Sequence, residues 1–274
     1  MLLRVGSRGS RLALTQAEQA VAALRRPGLE IALVPITTAG DRDRTRPFGE
    51  IGSRGVFVKE LEEALLQGRV DVAVHSAKDM TSTDTEGLEV GAYTAREDPR
   101  DALCGAQGLR PGMRVGTASA RRRAQLLALE PSLVIEPLRG NIDTRLRKAR
   151  ERKLDAIVLA ACGLDRLGLA EEIGHRFEPD ELLPEAGQGA LALQVRAGEA
   201  DLVAVADDSE TRRRVVAERA CVTAIGGGCL APVAAHHDGA LLTALVADEN
   251  GAWIERRNGT DPAAVAEELL ARLP

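Results

Sequence analysis

The stretch that decides the fold is Val72–Met80, which reads Val-Ala-Val-His-Ser-Ala-Lys-Asp-Met. It opens with three apolar residues, a pattern that predicts a short buried strand in an α/β sheet. Four polar residues follow at the end of this predicted strand: His75, Ser76, Lys78 and Asp79. Because strands of open α/β sheets end at the ligand crevice, we expect these side chains to face a binding site.

Asp79 has two interpretations on local sequence alone. A carboxylate beside the ammonium group of Lys78, at the end of a strand, suits general acid–base catalysis. Asp and Ser also commonly cap the turn that follows a strand, which would make the residue structural. The local sequence leaves both interpretations open.

The composition is that of an ordinary globular protein. The chain has 274 residues, of which 45% are hydrophobic and 28% charged, and this predicts two or three domains. Its apolar runs are short, and the first residues enter a strand without the layout of a signal peptide. Aromatic residues make up 2%, which provides few stacking surfaces for single-stranded nucleic acid. We therefore expect a cytoplasmic protein that binds neither membrane nor nucleic acid.

The cysteines indicate a reduced protein without a metal site. The four are widely spaced, with neither a CxxC pair nor histidines at zinc-ligand spacing: Cys104, Cys162, Cys221 and Cys229. Cys229 differs from the others because it follows Gly226-Gly227-Gly228, where backbone or ligand can approach closely. Its thiol suits a nucleophile or an attachment point, although a small residue at a tight turn explains the position equally well.

Arginine is concentrated in the middle of the chain, although the net charge is −5. Arginines follow the carboxyl ends of three successive predicted strands: Arg121 and Arg122, Arg139 and Arg145, and Arg166. A guanidinium group binds carboxylates and phosphates through two parallel hydrogen bonds. The recurrence predicts one anion-binding cleft, and the alternative is a solvated basic face.

The amino-terminal strand and helix predict a further place for an anion. Strand Leu2–Gly6 is followed by a polar turn, and Ser10 is placed to cap the helix that starts at Arg11. Arg8 then lies at the mouth of a helix amino-terminus. The segment from Asp41 to Arg54 is charged and without periodicity, which predicts a mobile lid or disorder.

The order of the predicted elements indicates an α/β protein with two lobes and a small α+β domain. The charged stretch Arg96–Asp101 predicts a crossing into a second lobe, and Pro184–Gly189 a return that completes the first sheet. Two crossings are typical of bilobal periplasmic binding proteins. The last region combines a helix, Ser209–Ala224, with alternating strands and a hairpin turn at Asp248–Gly251. The predicted domains are residues 1–96 with 189–205, residues 97–188, and residues 206–274.

The motifs together resemble the porphobilinogen deaminase (hydroxymethylbilane synthase) family over nearly the whole chain. They are, in order, Ser7–Leu14, Gly55–Leu61, Val74–Asp79, Glu97–Ala102, Val115–Arg122, Leu138–Asn141, Thr144–Leu146, Gly187–Ala190 and Gly227–Cys229. Most of them are weak singly, whereas the set in this order is specific. The resemblance implies three domains, the first two being lobes of the periplasmic-binding-protein type.

The resemblance also implies a reaction. Enzymes of this family carry a dipyrromethane cofactor, made from two substrate units and held by a thioether to the cysteine that matches Cys229. They condense four porphobilinogen molecules head to tail, release ammonia at each step and yield hydroxymethylbilane. Each pyrrole carries an acetate and a propionate, which arginines would bind. The implied protein is a cytoplasmic, monomeric transferase of tetrapyrrole (porphyrin and heme) biosynthesis.

Position by position, the resemblance assigns Asp79 as the catalytic carboxylate. It would bind the pyrrole N–H groups, assist the loss of ammonia and stabilise the cation that remains. The residues implied to hold the cofactor and growing chain are Asp79, Lys78, Ser76, Ser119, Arg121, Arg122, Arg139 and Arg145, with Cys229 as the attachment point. Those implied to contact the substrate are Arg8, Ser10, Arg166, Phe57 and Gln188. No metal is implied.

Three positions depart from the family pattern. Ala118 stands where many relatives carry a serine, Leu230 where a polar residue is expected, and Arg11 where proline is common. None of them replaces a predicted acid–base or attachment residue, so we expect an active enzyme.

Two alternative functions belong to other classes of protein. A bilobal carboxylate-binding module without covalent chemistry would leave Asp79 and Cys229 without a role. A nucleic-acid binder is the weaker rival, because the net charge is acidic and aromatic residues are scarce.

Overall fold

The computed structural model describes residues 2–38, 58–80, 85–226 and 232–274. The chain forms two compact units, one of Met1–Glu97 with Ala190–Val215 and one of Asp98–Gly189 with Val216–Pro274. The predicted lid at residues 41–54 lies outside the described residues, as do Phe57 and Cys229.

The helices and strands are numbered here in chain order. Those that precede the second unit are β1 (Leu2–Arg8), α1 (Arg11–Ala22), β2 (Glu30–Ile36), α2 (Lys59–Leu66), β3 (Val72–Ser76) and β4 (Leu88–Tyr93). Next come β5 (Asp101–Cys104), β6 (Arg114–Gly116), α3 (Ala120–Leu129), β7 (Val134–Glu136), α4 (Ile142–Glu151), β8 (Ala156–Ala160), α5 (Ala161–Arg166) and β9 (Ile173–Arg176). The chain continues with β10 (Leu191–Arg196), α6 (Ser209–Ile225), β11 (Val233–His237), β12 (Leu242–Ala247), β13 (Ile254–Gly259) and α7 (Pro262–Leu270).

The first unit contains a five-stranded sheet in the order β2-β1-β3-β10-β4. Strand β1 runs parallel to both β2 and β3, whereas β10 is antiparallel to β3 and β4. The apolar run Val72–Val74 lies in β3 and is buried, as its sequence predicted. The return of the chain through β10 completes this sheet, which is the topology that the predicted second crossing requires.

The second unit contains a five-stranded sheet in the order β7-β6-β8-β5-β9. Strand β6 is parallel to β7 and β8, whereas β5 pairs antiparallel with β8 and β9. The sequence did not predict β5, because its first residue, Asp101, was assigned to a charged break. Ala102 and Leu103 are fully buried, and the apolar run they form explains why this part of the break is a strand.

A three-stranded antiparallel sheet, β11-β12-β13, lies in the same unit. The predicted hairpin at Asp248–Gly251 joins β12 to β13, and the Asp248 carboxylate accepts a hydrogen bond from the Trp253 N–H at 2.7 Å. Gly251 has a φ of 68°, and a Cβ at this position would lie 2.1 Å from the carbonyl oxygen of Ala124 in α3. The hairpin therefore packs closely against α3 within this unit.

The predicted fold class is confirmed. The described residues form two sheet-and-helix lobes of α/β type and a small carboxyl-terminal sheet domain. The predicted boundaries of the three domains stay a prediction. In the described parts of the chain, no helix combines the length and apolar character needed to cross a membrane.

Candidate functional site

One group of predicted site residues lies at a single edge of the first sheet. Because β1 and β3 are parallel neighbours, their carboxyl ends share this edge. Arg8 is the last residue of β1, Ser76 is the last residue of β3, and the turn Ala77–Asp79 follows directly. The arrangement brings Arg8, Ser76, Lys78 and Asp79 to one edge of the sheet.

The turn that carries Lys78 and Asp79 is anchored to β10. Ala77 is fully buried, and its N–H donates to the carbonyl oxygen of Ala190 at 3.0 Å. The side chains of Lys78 and Asp79 are half-buried. A fixed backbone with partly accessible side chains is the arrangement that a catalytic carboxylate requires.

Ser10 caps α1 as predicted. Its side-chain oxygen accepts a hydrogen bond from the N–H of Ala13 at 3.3 Å. Ser10 lies two residues after Arg8, and α1 begins at Arg11, so Arg8 lies close to a helix amino-terminus.

His75 does not face a binding site, contrary to the sequence prediction. It is buried, and its Nε2 lies 3.1 Å from Oε1 of Gln194 on β10. Burial lowers its pKa to about 4, against a weaker opposing effect of the Gln194 hydrogen bond, so the ring is neutral at pH 7. The prediction failed because the ring meets Gln194 on β10, the neighbouring strand in the sheet, which is distant in the sequence.

A second group of predicted residues surrounds Asp101 in the second unit. Asp101 is fully buried at the start of β5, with the guanidinium groups of Arg121 and Arg122 against it. Arg121 Nη1 lies 2.8 Å from Oδ2, and Arg122 Nη2 lies 2.7 Å from Oδ1. Gln188, also fully buried, donates from Nε2 to Oδ1 at 2.9 Å. We call Asp101, Arg121, Arg122 and Gln188 the arginine cluster.

The charges in the arginine cluster do not cancel. Burial alone would raise the pKa of Asp101, but the charges and hydrogen bonds of the two arginines hold it well below its usual range. Within the cluster, one carboxylate therefore faces two buried guanidinium groups. Glu185, outside the cluster, is a further acidic residue that acts on Arg122.

Arg121 also has hydrogen-bond donors without a partner among the described residues. Its Nη1 donates to Asp101 and to the carbonyl oxygen of Leu183, each at 2.8 Å. Its Nε and Nη2 are buried and have no hydrogen-bond partner among the described residues. Buried donors without acceptors cost free energy, so an anion that binds here would be stabilised by both charge and hydrogen bonds.

The remaining predicted arginines follow neighbouring parallel strands. Strands β7, β6 and β8 end at one edge of the second sheet, and Arg139, Arg145 and Arg166 come after β7 and β8. Arg145 Nε donates to the Gly140 carbonyl oxygen at 2.6 Å, and Arg166 Nη2 to that of Gly189 at 2.9 Å. Ser119 caps α3 by accepting from the N–H of Arg122 at 3.4 Å. The structure thus brings the predicted arginines of this unit to the ends of adjacent strands.

Comparison with known proteins identifies the family. The family model described as "Porphobilinogen deaminase, dipyromethane cofactor binding domain" matches residues 3–204. Porphobilinogen deaminase of Roseiflexus castenholzii is 47% identical over 289 residues, which cover 98% of this chain and 95% of the relative. The enzyme of Acidithiobacillus ferrooxidans is 44% identical, with 99% and 94% covered.

This chain belongs to the porphobilinogen deaminase family.

Solved structures similar to this family member include periplasmic binding proteins. A substrate-binding protein of an ABC transporter from Coxiella burnetii has a TM-score of 0.46 at 15% identity, over 77% of this chain and 94% of that chain. A TRAP solute binding protein from Desulfovibrio salexigens has a TM-score of 0.44 at 10% identity, over 77% and 73%. Likenesses of this size say nothing about function.

The arginine cluster fits the group for which the matched domain of this family is named. A dipyrromethane built from porphobilinogen carries carboxylates, and the buried Nε and Nη2 of Arg121 are donors that lack an acceptor among the described residues. No group of histidine, cysteine and acidic residues suited to a metal ion occurs in the described ranges. The donor set of the cluster, guanidinium N–H groups, suits a carboxylate.

Two cysteines of this deaminase family member are poor candidates for a covalent bond. Burial raises the pKa of Cys104 to about 12 and that of Cys221 to about 11. A thiol reacts as its thiolate, so these two react slowly at neutral pH. Cys162 is buried as well.

Sequence reasoning missed Asp101. Two signals point to it: it precedes the apolar run Ala102–Cys104, and it lies in the motif Glu97–Ala102. The charged residues around it indicate a break between lobes instead. Gln194 and Glu62, whose side chains are hydrogen-bonded to each other, were also missed. Nothing in the local sequence marks these polar residues as buried.

Proposed function

We propose that this chain is a hydroxymethylbilane synthase. It joins four porphobilinogen molecules head to tail on an enzyme-bound dipyrromethane, releases ammonia at each step, and frees hydroxymethylbilane by hydrolysis. The observation that carries the proposal is the arginine cluster, with its two buried guanidinium groups and spare Arg121 donors, in a chain that matches a dipyrromethane-binding family. Porphobilinogen is the only organic substrate that this reaction needs, and water is consumed when the product is released.

The arginine cluster binds carboxylates of the cofactor. Arg121 donates from Nε and Nη2, while Arg122 supplies charge and keeps Asp101 ionised. Asp101 holds both guanidinium groups in place, and Gln188 donates to Asp101 from a buried position. Ser119, Arg139, Arg145 and Lys78 bind further carboxylates of the cofactor and the growing chain.

Cys229 is the attachment point of the dipyrromethane. The supporting observations are the burial of the other three cysteines and the raised pKa of Cys104 and Cys221. When bound, the dipyrromethane supplies the pyrrole carbon to which the first substrate is joined.

Asp79 is the catalytic carboxylate. The amino group of the aminomethyl substituent leaves as ammonia with the C–N bonding electron pair, and the methylene carbon stays on the ring, so a positive charge develops on the pyrrole and that carbon. A carboxylate held on a fixed turn stabilises that charge and accepts hydrogen bonds from the pyrrole N–H. Ser76, the last residue of β3, donates a hydrogen bond at the same edge of the first sheet.

Arg8, Ser10, Arg166 and Phe57 contact the incoming substrate or the elongating chain. The position of Arg8 beside the capped start of α1 supports its part in this group. Gln188 was predicted to contact substrate as well, and its burial against Asp101 favours an effect through the arginine cluster.

The protein acts as a cytoplasmic monomer without membrane or nucleic-acid partners. The acidic net charge of −5 and the 2% aromatic content support the absence of a nucleic-acid partner.

A carboxylate-binding module without covalent chemistry is the second candidate. The spare donors of Arg121 favour it equally, because they suit any bound carboxylate. Incubation of the purified protein with porphobilinogen separates the two, with ammonia and linear tetrapyrrole as readouts. We expect stoichiometric ammonia from the wild type, and ammonia release reduced by about 100-fold or more in Asp79→Asn. Binding of porphobilinogen without ammonia release would favour the module.

A further inference from the structure

Four side chains form a largely buried chain of hydrogen bonds that begins at His75, four residues before Asp79. His75 Nε2 lies 3.1 Å from Gln194 Oε1, and Gln194 Nε2 donates to Glu62 Oε1 at 2.9 Å. Thr85 Oγ1 donates to the other oxygen of Glu62, also at 2.9 Å. We call these four residues the His75 network. They come from β3, β10, α2 and the segment before β4.

The direction of each hydrogen bond in the His75 network follows from chemistry. Glu62 accepts through both oxygens, so the NH2 group of Gln194 must point toward it. The amide oxygen of Gln194 then faces His75, whose Nε2 carries the proton. The network has one consistent arrangement, and His75 is neutral in it.

The His75 network joins side chains that precede and follow Asp79 in the sequence. His75 lies directly before Ser76, and Thr85 lies six positions after Asp79. The turn itself is anchored by the Ala77 N–H, which donates to the Ala190 carbonyl oxygen. Glu62 and Gln194 thus link His75, two residues before this turn, to Thr85.

We propose that Glu62 and Gln194 are positioning residues that set the place of Asp79 for the reaction. They touch neither substrate nor cofactor and act through His75 and Thr85. The inference rests on the proposed catalytic function of Asp79. Hydrogen bonds in a buried network have defined lengths and directions, and a displacement of about 1 Å at a reacting group can reduce a rate by about 100-fold.

Two variants of Glu62 distinguish the effect of its hydrogen bonds from the effect of its side-chain volume. Glu62→Gln keeps both contacts, because the new amide oxygen accepts from Gln194 and the new NH2 donates to the Thr85 hydroxyl, which can rotate to accept. Glu62→Met has similar length and loses both contacts. We expect kcat to fall by about 10- to 100-fold in Glu62→Met with KM changed less, and to stay within about threefold in Glu62→Gln.

Thr85→Val provides a milder test if Glu62→Met does not fold. It removes one hydrogen bond at nearly constant volume, and we expect kcat to fall by about three- to tenfold. The matched control is Thr15→Val, which removes a side-chain hydrogen bond to the Arg11 carbonyl oxygen on the exposed face of α1. This control is expected to keep wild-type kcat.

Hydrogen exchange gives a readout that does not depend on activity. In the full-length protein, the amide of Ala77 is buried and bonded to Ala190, so it exchanges slowly. We expect the peptide that contains Ala77–Met80 to exchange about tenfold faster in Glu62→Met and Thr85→Val than in Glu62→Gln and Thr15→Val. Cofactor loading by intact mass and thermal unfolding are measured for every variant.

Each outcome decides something definite. If cofactor-loaded Thr85→Val keeps wild-type kcat and wild-type exchange at Ala77–Met80, the positioning role is wrong. If exchange accelerates but kcat is unchanged, the network orders the segment without affecting the reaction, which also overturns the proposal. If Asp79→Asn keeps full activity in parallel, the function of Asp79 fails instead, and the exchange data alone report on the network.

Discussion

Arg121 and Asp101 form a fully buried ion pair in which Nη1 lies 2.8 Å from Oδ2, while Nε and Nη2 of Arg121 have no partner among the described residues. The same guanidinium group is thus fixed at one end and has unpartnered donors at the other. Arg122 donates to the second oxygen of Asp101. This ion pair is the basis of the proposal that Arg121 binds a carboxylate of the cofactor.

Removal of the Asp101 charge should destabilise the protein strongly. Asp101→Asn leaves two buried guanidinium groups without a counter-charge, which costs about 3–5 kcal/mol in the free energy of unfolding. Urea denaturation at pH 7 measures this loss. The matched control is Asp165→Asn, whose ion pair with Arg176 is partly exposed and which should cost less than about 1 kcal/mol. Equal losses in the two variants would contradict the assigned role of Asp101.

The planar guanidinium group of Arg121 should contribute more to cofactor retention than its positive charge alone. Arg121→Lys keeps the positive charge but loses the planar group whose Nε and Nη2 face outward from the pair. We expect cofactor retention, measured by intact mass after dialysis, to fall, and KM for porphobilinogen to rise by about tenfold or more. Arg123→Lys is the control, since Arg123 donates to the Glu249 carbonyl oxygen outside the cluster. Wild-type retention in Arg121→Lys would remove Arg121 from the cofactor site.

Burial of His75 should make stability depend on pH below neutrality. Its pKa in the folded protein is lowered from 6.5 to about 4, so the unfolded chain binds more protons between these values. Stability from the neutral ring is therefore fully present above pH 6.5 and is lost as pH falls toward 4. The urea midpoint of the wild type should fall across this range more steeply than that of His75→Gln, which cannot titrate. Parallel pH curves for the two proteins would contradict this account.

Local patterns predicted much of the fold. The buried strand Val72–Val74, the helix caps at Ser10 and the hairpin at Asp248–Gly251 each depend on residues within one short segment. The predicted strands that precede the arginines are parallel neighbours, so the segments that carry these arginines follow one edge of the sheet. Their part in one anion site stays a prediction.

Long-range pairing explains what could not be predicted. Burial of Asp101 is possible only because Arg121 and Arg122 reach it from α3. His75 turns inward because Gln194, which is 119 positions away in the chain, receives its hydrogen bond. A single sequence shows the polar residues but not the partner that makes their burial favourable.

The measurement that tests the central claim most directly is the intact mass of the purified protein under denaturing conditions. We predict an excess over the sequence mass that equals two linked pyrrole units, and its loss in Cys229→Ser. An unmodified wild-type mass that gains no adduct on incubation with porphobilinogen, with no ammonia released, would contradict the claim that this chain is a hydroxymethylbilane synthase.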